Sequence, residues 1–300
     1  MTVQCPMSDV RCPMSKSTRA PVLLVMLALL LLSSCGGSGT GDSDASLSGA
    51  VGSTRAHYQI LELASGRVRA VGSVSDLTTN PAYRSTSMVF RLVEVGSGTI
   101  GSTSAQVGAA LDPAATTVGA PSFYLAVFET SQAQWQALAG STPWSLLTSA
   151  DGVDDVRIGN DYPAVGISQD LATSSLTAYR STSGVLLTLP SDPQWEIACR
   201  AGGSGTWAWG DTAQSATVIA TAVVWETAGA IRGARPVAER TPSTLGFFDL
   251  HGNVWELTSA GNLRGGSWND PVANARAAHR AAIDPGTRHL LVGLRLVYQP

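Results

Sequence analysis

Charged side chains are scarce in this sequence. Only 14% of its 300 residues are Asp, Glu, Lys or Arg, the formal net charge is -3, and no stripe of Lys and Arg occurs. A protein that binds nucleic acid needs clustered basic side chains to neutralise phosphates. We therefore predict no nucleic-acid partner, whereas the 44% hydrophobic content is enough for a sizeable core.

No apolar run is long enough to span a bilayer. The longest one, residues 21–32, follows two basic residues and has the length of a signal-peptide core. It ends in Leu32-Ser33-Ser34-Cys35, the pattern of a bacterial lipoprotein signal in which the Cys is acylated and becomes the new N-terminus. We predict a lipoprotein signal peptide over residues 1–34 and a lipid anchor on Cys35.

Cysteine is rare as well. Of the four cysteines, Cys5 and Cys12 belong to the predicted signal peptide and Cys35 is the predicted acylation site. Only Cys199 remains in the folded body. An intrachain disulfide or a cysteine metal cluster is thereby excluded from the mature protein.

Composition divides the rest of the chain into three parts. Residues 35–54 are rich in Gly, Ser, Asp and Thr without an apolar period, which predicts a flexible linker. Residues 55–87 are predicted to form an N-terminal β-hairpin extension, and residues 88–300 the main domain. In the hairpin, Leu61 and Leu63 are expected to face Val68 and Ala70 across an Ala-Ser-Gly turn.

Three helices have readable start and stop signals. They are predicted from a Ser131 cap to Gly140, from Ser168 to Gly184, and from Ser191 to Gly202. The third begins with a capping-box pattern, and Trp195, Ala198 and Cys199 share one of its faces. After residue 203 the periodicity is weak and Gly, Trp and Pro are frequent, which predicts tight turns and buried aromatic side chains.

Four segments resemble, in the same order, the formylglycine-generating-enzyme (sulfatase-modifying factor) family. They are MVFRLVEVGSGTIGS at 88–102, FYLAVFETSQAQW at 123–135, a stretch at 163–200 that contains LPSDPQWE, and GFFDLHGNVWEL at 246–257 with RGGSW at 264–268 and GLRLV at 293–297. The resemblance implies an α+β, C-type-lectin-like fold with little regular secondary structure.

The chemistry of that family is only partly represented. Members that oxidise a sulfatase cysteine bind copper through two cysteines in the segment after Arg-Gly-Gly-Ser, but residues 269–276 here read NDPVANAR. Because the thiolate ligands are missing, we expect no such oxidase activity. Cys199 cannot replace them, since a lone thiol on the inner face of a helix is packing.

The resemblance also bears on histidine and carboxylate sites. A second branch of the family binds iron through a histidine triad, but His57, His251, His279 and His289 lack the spacing for it, and we interpret His251 as a turn residue. The resemblance also implies a structural calcium ion, and the matching positions are Asp249, Gly252, Val254 and Glu256. The alternative is that both carboxylates accept hydrogen bonds from backbone or Arg groups without metal.

The C-terminal segment is similar to the variable proteins of diversity-generating retroelements. These share the fold, include surface lipoproteins, and carry a diversified stretch between Arg-Gly-Gly-Ser-Trp and a Gly-Phe-Arg-Leu-like end. Adenine-directed change of an Asn codon ending in C never gives Lys, Glu, Gln, Met or Trp, and none of these occurs over residues 269–292.

We therefore interpret the chain as a surface-exposed lipoprotein whose degenerate domain binds an unknown protein or glycan, at the outer membrane or cell surface. The alternative is an enzyme of the sulfatase-modifying type or a related oxidoreductase. The predicted binding residues, expected to be mostly exposed on one face, are Asn269, Asp270, Val272, Asn274, His279, Ala281, Ile283, His289, Leu290 and Leu291. We expect Trp268, Arg276, Arg280 and Arg295 to support them from below.

Overall fold

The computed structural model describes residues 56–147, 156–229 and 232–300. The predicted signal peptide (residues 1–34), the lipid site Cys35 and the whole predicted linker (residues 35–54) lie outside these residues. Within the described part, no helix is both long and apolar enough to cross a bilayer.

A six-stranded antiparallel sheet is the largest regular element. Its strands are β1 (Tyr58–Glu62), β2 (Arg67–Val71), β3 (Ser87–Val93), β6 (Phe123–Ala126), β7 (Leu186–Thr188) and β12 (Val297–Gln299), and the spatial order is β2-β1-β3-β6-β12-β7. The central strands β3 and β6 are almost entirely buried, as their continuous apolar runs require. Strand β12, near the C-terminus, thus lies between β6 and β7 in the same sheet that contains β1 and β2.

The predicted hairpin forms, with one difference in register. Leu61 pairs with Val68 as expected, but Ala70 lies opposite Gln59 instead of Leu63. Strand β1 also pairs with β3 along its whole length. The hairpin is therefore part of the main sheet, and the boundary drawn between residues 87 and 88 falls inside β3.

The three predicted helices are confirmed with their caps. They are α1 (Gln132–Ala139), α2 (Gln169–Ser183) and α3 (Asp192–Arg200), and their N-caps Ser131, Ser168 and Ser191 each accept a backbone N–H of the first turn. A fourth helix, α4 (Ser215–Thr221), was not predicted. Its N-cap residue makes no side-chain hydrogen bond and its sequence SATVIAT is β-branched in part, so the usual start signal is missing.

The remaining strands are short. Strands β8 (Trp255–Leu257), β9 (Asn262–Arg264), β10 (Ala281–Ala282) and β11 (Val292–Gly293) form a second sheet in the order β10-β9-β8-β11, and β4 (Gly98–Ile100) pairs with β5 (Thr116–Val118). A core cluster joins the large sheet to helix α3 and residues 247–250. The α+β prediction is confirmed, with irregular chain and buried aromatic side chains filling much of the domain.

Candidate binding surface

Glycine turns bring the two most specific motifs together. Gly252 and Gly266 have left-handed backbone, with φ of 92° and 74°. A Cβ on Gly252 would lie 2.1 Å from the carbonyl oxygen of Val223, so no other residue fits there. The N–H of Gly252 donates to the carbonyl of Gly265 at 2.8 Å, which holds the turn containing Gly-Asn-Val-Trp-Glu against Arg-Gly-Gly-Ser-Trp.

Asn253 fastens this turn to distant parts of the chain. Its backbone is also left-handed (φ 59°), which Asn tolerates better than most residues. Its side-chain Oδ1 accepts the N–H of Arg235 at 2.8 Å, and its Nδ2 donates to Glu129 Oε2 at 2.5 Å. Burial and the neighbouring carboxylates of Asp249 and Glu256 raise the pKa of Glu129 well above its ordinary value. No sequence motif marked Glu129 or Asn253 for this role.

The predicted calcium positions are buried and already bonded. The Glu256 carboxylate accepts hydrogen bonds from Nε and Nη2 of Arg295, and another from Trp195 Nε1 at 2.6 Å. Asp249 accepts the N–H of Ala238 at 2.7 Å. Within the described ranges, no three acidic, His or Cys side chains are grouped to hold a metal ion.

This geometry corresponds to the alternative in which the carboxylates of Asp249 and Glu256 accept hydrogen bonds from backbone and Arg groups. The donor set does not fit a calcium site built on Glu256, because both oxygens of that side chain face Arg295. Gly252 and Val254 contribute buried backbone to the turn. Calcium binding stays a prediction.

Asp270 anchors the segment that follows Arg-Gly-Gly-Ser-Trp. Its Oδ2 accepts hydrogen bonds from Trp255 Nε1 at 2.8 Å and from the N–H and hydroxyl of Ser267 at 3.1 and 2.5 Å. Only 6% of Asp270 is exposed, so the expectation that it lies at the surface is wrong. A carboxylate with three donors at one oxygen is held in the interior because leaving those donors unpaired would cost free energy.

Arg276 forms the second anchor. Its guanidinium makes a two-point ion pair with Asp112, with Nε 2.9 Å from Oδ2 and Nη2 2.8 Å from Oδ1, and Nη1 donates to the carbonyl of Ala273. Burial raises the pKa of Asp112, but hydrogen bonds from His279, Arg276 and Ser102 together hold it below its usual range. Asp112 comes from the loop between β4 and β5, and nothing in the sequence marked it as a partner.

His279 belongs to the same network. Its Nδ1 lies 3.4 Å from Asp112 Oδ1 and 3.2 Å from Arg276 Nη2, and its ring packs against Trp255 at 5.8 Å between centroids. Its side chain is only 17% exposed. The expectation that His279 lies open to solvent is therefore wrong, because it helps to seat Arg276.

The other predicted binding residues lie in separate places. Asn269, just before the first anchor, and Val272 and Asn274, between the two anchors, are half-buried. Ala281 lies on β10 and pairs with Leu263 of β9, and Ile283 directly follows β10. His289 and Leu290 are half-buried and Leu291 is 6% exposed beside β11, the opposite edge of that sheet. The expectation of an exposed side chain is therefore wrong for Leu291, as it is for Asp270 and His279, and Ala281 and Leu291 lie at opposite edges of the small sheet.

The supporting residues were predicted correctly with one exception. Trp268, Arg276 and Arg295 are 2%, 2% and 0% exposed. Arg280 is exposed, contrary to expectation, because the chain turns outward after His279 before β10 begins. Whether the segment binds a ligand stays a prediction.

The structure adds Trp225 and Glu226 to this surface. The N–H of Trp225 donates to the carbonyl of Asp270 at 2.8 Å, and the Glu226 carboxylate accepts the N–H of Val272 at 3.0 Å. Trp225 is 43% exposed. A large aromatic residue in an aperiodic stretch after α4 was the only sequence signal, and it does not distinguish a surface Trp from a core one.

Cys199 and His251 lie together but have no nucleophilic character. The thiol is 3.6 Å from His251 Nε2, which also accepts the N–H of Ala208 at 3.1 Å. Burial raises the pKa of the Cys199 thiol far above its usual range and lowers the pKa of His251 to about 4. Both side chains are therefore neutral near pH 7 and serve as packing, consistent with the sequence-based interpretation.

Comparisons with known proteins agree with this architecture. Residues 74–300 match the family model of the sulfatase-modifying factor enzyme 1-like domain. A formylglycine-generating enzyme of Mycobacterium tuberculosis is 34% identical over 79 residues, which are 24% of this chain and only 26% of that enzyme.

Two solved structures share the fold. Variable protein 1 of Treponema denticola is similar with a TM-score of 0.59 and 18% identity, over 71% of this chain and 96% of its own. PvdO of Pseudomonas aeruginosa is similar with a TM-score of 0.61 and 19% identity, over 71% and 94%. The family match covers the helices, the turns and every strand described above except β1 and β2. This chain therefore belongs to the formylglycine-generating-enzyme (sulfatase-modifying factor) family and has its C-type-lectin-like α+β fold.

Proposed function

We propose that this protein is a surface-anchored ligand-binding module and that residues 269–274 carry its recognition side chains. One observation supports this above others. The backbone of the segment is fixed by the buried anchors Asp270 and Arg276, whereas Asn269, Val272 and Asn274 between and beside them remain half-exposed. A rigid frame with partly exposed side chains suits recognition, because little conformational entropy is lost on binding.

Diversification of this segment is the finer part of the proposal. A structural relative is named a variable protein, although a likeness at 18% identity speaks for the fold alone. Further support comes from the sequence itself, in which Lys, Glu, Gln, Met and Trp are absent over residues 269–292. The predicted lipid on Cys35 and the linker after it would place this surface outside the cell, at the outer membrane or beyond.

Deep sequencing of the gene in independently grown cultures tests diversification. We expect substitutions at adenines, concentrated in codons 269–291, with a reverse transcriptase gene and an adenine-rich near-copy of this segment close by. The equally long segment 246–268 is the internal control. Equal substitution rates in the two segments would contradict diversification and leave an undiversified binding module.

The second candidate is a sulfatase-modifying enzyme, which the 34% identity to a formylglycine-generating enzyme favours. Against it, residues 269–276 contain no Cys, and the thiol of Cys199 is buried with a raised pKa. We expect purified protein supplied with copper and oxygen to convert no Cys in a sulfatase-motif peptide. Aldehyde formation in that peptide, detected by mass spectrometry, would make the enzyme the better assignment.

A further inference from the structure

The loop between β4 and β5 carries a run of apolar residues that the core does not use. Residues 107–111 read Val-Gly-Ala-Ala-Leu, and none of the five is buried. Val107 is 51% exposed and Leu111 is 76% exposed. Single apolar residues are normal on a protein surface, whereas a consecutive exposed run is unfavourable in water unless it serves a contact.

Polar contacts on both sides hold this run in place. Before it, Gln106 Nε2 donates to the carbonyl of Ser204 at 2.7 Å. After it, Asp112 accepts the hydroxyl of Ser102 at 2.9 Å and forms the ion pair with Arg276, and its side chain is closed to solvent. The run is therefore fixed before any ligand arrives, so little conformational entropy is lost when it is covered.

The same contacts place the run beside the segment proposed for recognition. A Cβ on Gly108 would lie 2.4 Å from Cζ of Arg276, so the backbone of the run packs directly on that guanidinium. Arg276 in turn donates to the carbonyl of Ala273, which lies inside the segment. Val107 and Leu111 are therefore each next in sequence to a residue that contacts Arg276.

The chemistry of the run distinguishes between ligand classes. The hydroxyls of a glycan need hydrogen-bond partners, and aliphatic side chains offer none. Asp112 is the one charged residue between β4 and β5, and its carboxylate is already paired with Arg276. The loop thus presents an uncharged aliphatic surface, to which an apolar patch on another protein is complementary.

We propose that Val107 and Leu111 form a second contact beside the recognition segment, and that the ligand is a protein that covers them with apolar side chains. This inference rests on the proposed function, which it narrows from protein or glycan to protein. Both residues lie outside codons 269–291, so diversification would leave this contact constant while it altered the neighbouring segment.

The probe is a phage-displayed library of random dodecapeptides, panned against the purified full-length protein, with an array of immobilised glycans in parallel. We expect the selected peptides to be enriched in aliphatic and aromatic residues. The double variant Val107→Ser, Leu111→Ser should weaken their binding by about 10-fold, because two apolar contacts are lost. Leu111→Met keeps an apolar side chain and should retain the affinity, and thermal unfolding verifies that these variants are folded.

The double variant Leu146→Ser, Ile158→Ser is the matched control, because these apolar side chains are also exposed, at 73% and 69%. It should leave peptide binding unchanged. Equal losses in the two double variants, a library without any binder that depends on Val107 and Leu111, or a glycan whose binding requires Leu111 would each overturn the inference. Self-association of the wild type that Val107→Ser, Leu111→Ser abolishes in analytical ultracentrifugation would also overturn it, since a second copy would then cover the run.

A combined Asn269→Ala, Val272→Ala and Asn274→Ala variant separates this inference from the proposed function. Loss of peptide binding in the combined variant but not in the Val107 and Leu111 double variant would remove the apolar run and keep the recognition segment. The reverse result would keep the run as a contact and contradict recognition by the segment.

Discussion

The guanidinium of Arg295 and the carboxylate of Glu256 form an ion pair closed to solvent, with Nη2 2.7 Å from Oε1 and Nε 3.0 Å from both carboxylate oxygens. Arg295 also donates to the carbonyls of Ala126 and Phe248. One side chain from the final Gly-Leu-Arg-Leu-Val segment therefore joins the small sheet, the large sheet and the chain before the Gly-Asn turn.

Glu256→Gln should destabilise the protein strongly, because it leaves Arg295 buried without its counter-charge. Removing one partner of a buried pair costs about 3 to 5 kcal/mol of unfolding free energy, which chemical denaturation measures. The control is Glu239→Gln, since Glu239 is 42% exposed and lies 4.0 Å from Arg240. A loss no larger than that of the control would show that Arg295 does not depend on this carboxylate.

Asp249→Asn should stabilise the protein at alkaline pH. Burial raises the pKa of Asp249 from 3.8 to about 6, so the wild type is most stable below pH 4 with respect to this group and loses that stability as the pH rises through 6. The Asn variant keeps an acceptor for Ala238 and suits the left-handed φ of 58°. We expect a gain of roughly 3 kcal/mol at pH 8 from denaturation curves. If the stability of wild type and of Asp249→Asn depended on pH in the same way between pH 4 and 7, the raised pKa would be contradicted.

Asp112→Asn should destabilise the protein near neutral pH, the opposite of the effect expected for Asp249→Asn. The pKa of Asp112 is lowered in the fold, so its ionised form stabilises the protein when the pH is above the ordinary pKa of 3.8. This stability is lost progressively as the pH falls below about 4. The variant should be less stable than wild type at pH 7 by about 3 kcal/mol, because Arg276 loses its partner. Asp284→Asn, at an exposed position, is the control. A difference that persists undiminished at pH 2 would speak against the charge effect.

Leu290→Asn and Leu291→Asn should destabilise the protein to different extents. Leu291 is 6% exposed, so placing an amide there should cost about 2 to 5 kcal/mol, as other changes of a core Leu do. Leu290 is half-buried, so Leu290→Asn should lower the free energy of unfolding by clearly less. Thermal unfolding of both variants decides the matter. Equal, small shifts would place both side chains outside the core.

Cys35→Ala should release the protein from the membrane fraction if the predicted lipid anchors it. The measurement is fractionation of cells that express either form, with immunoblotting of membrane and soluble fractions. Cys199→Ala is a control that removes the buried thiol and should leave partitioning unchanged. Membrane partitioning that survives Cys35→Ala would contradict the lipoprotein prediction.

Local features were predicted best from the sequence. The Ser191–Gln194 capping box and the Ser131 cap form as predicted, because each needs only one turn of chain. The fold followed from the resemblance of whole segments and not from periodicity. Helix α4 was missed because it has no capping side chain.

Partners distant in sequence could not be predicted. Asp112 and Arg276 are 164 residues apart, and neither carries a local mark of the ion pair they form. Asp270 was predicted to be exposed because it lies in the stretch after Arg-Gly-Gly-Ser-Trp that resembles a diversified segment. Its burial depends on Trp255 and Ser267, whose approach only the folded chain defines.

The hydrogen bonds to Asp270 have a consequence for how many members of a diversified population could fold. Both codons for Asp contain an adenine, so a mutagenic process directed at adenines cannot spare this position. Each replacement without a carboxylate leaves the donors of Trp255 and Ser267 facing an empty or mismatched interior. Arginine has codons without adenine, which could keep Arg276 constant. Synonymous codon choice at Arg276, but not at Asp270, would then affect what fraction of variants folds.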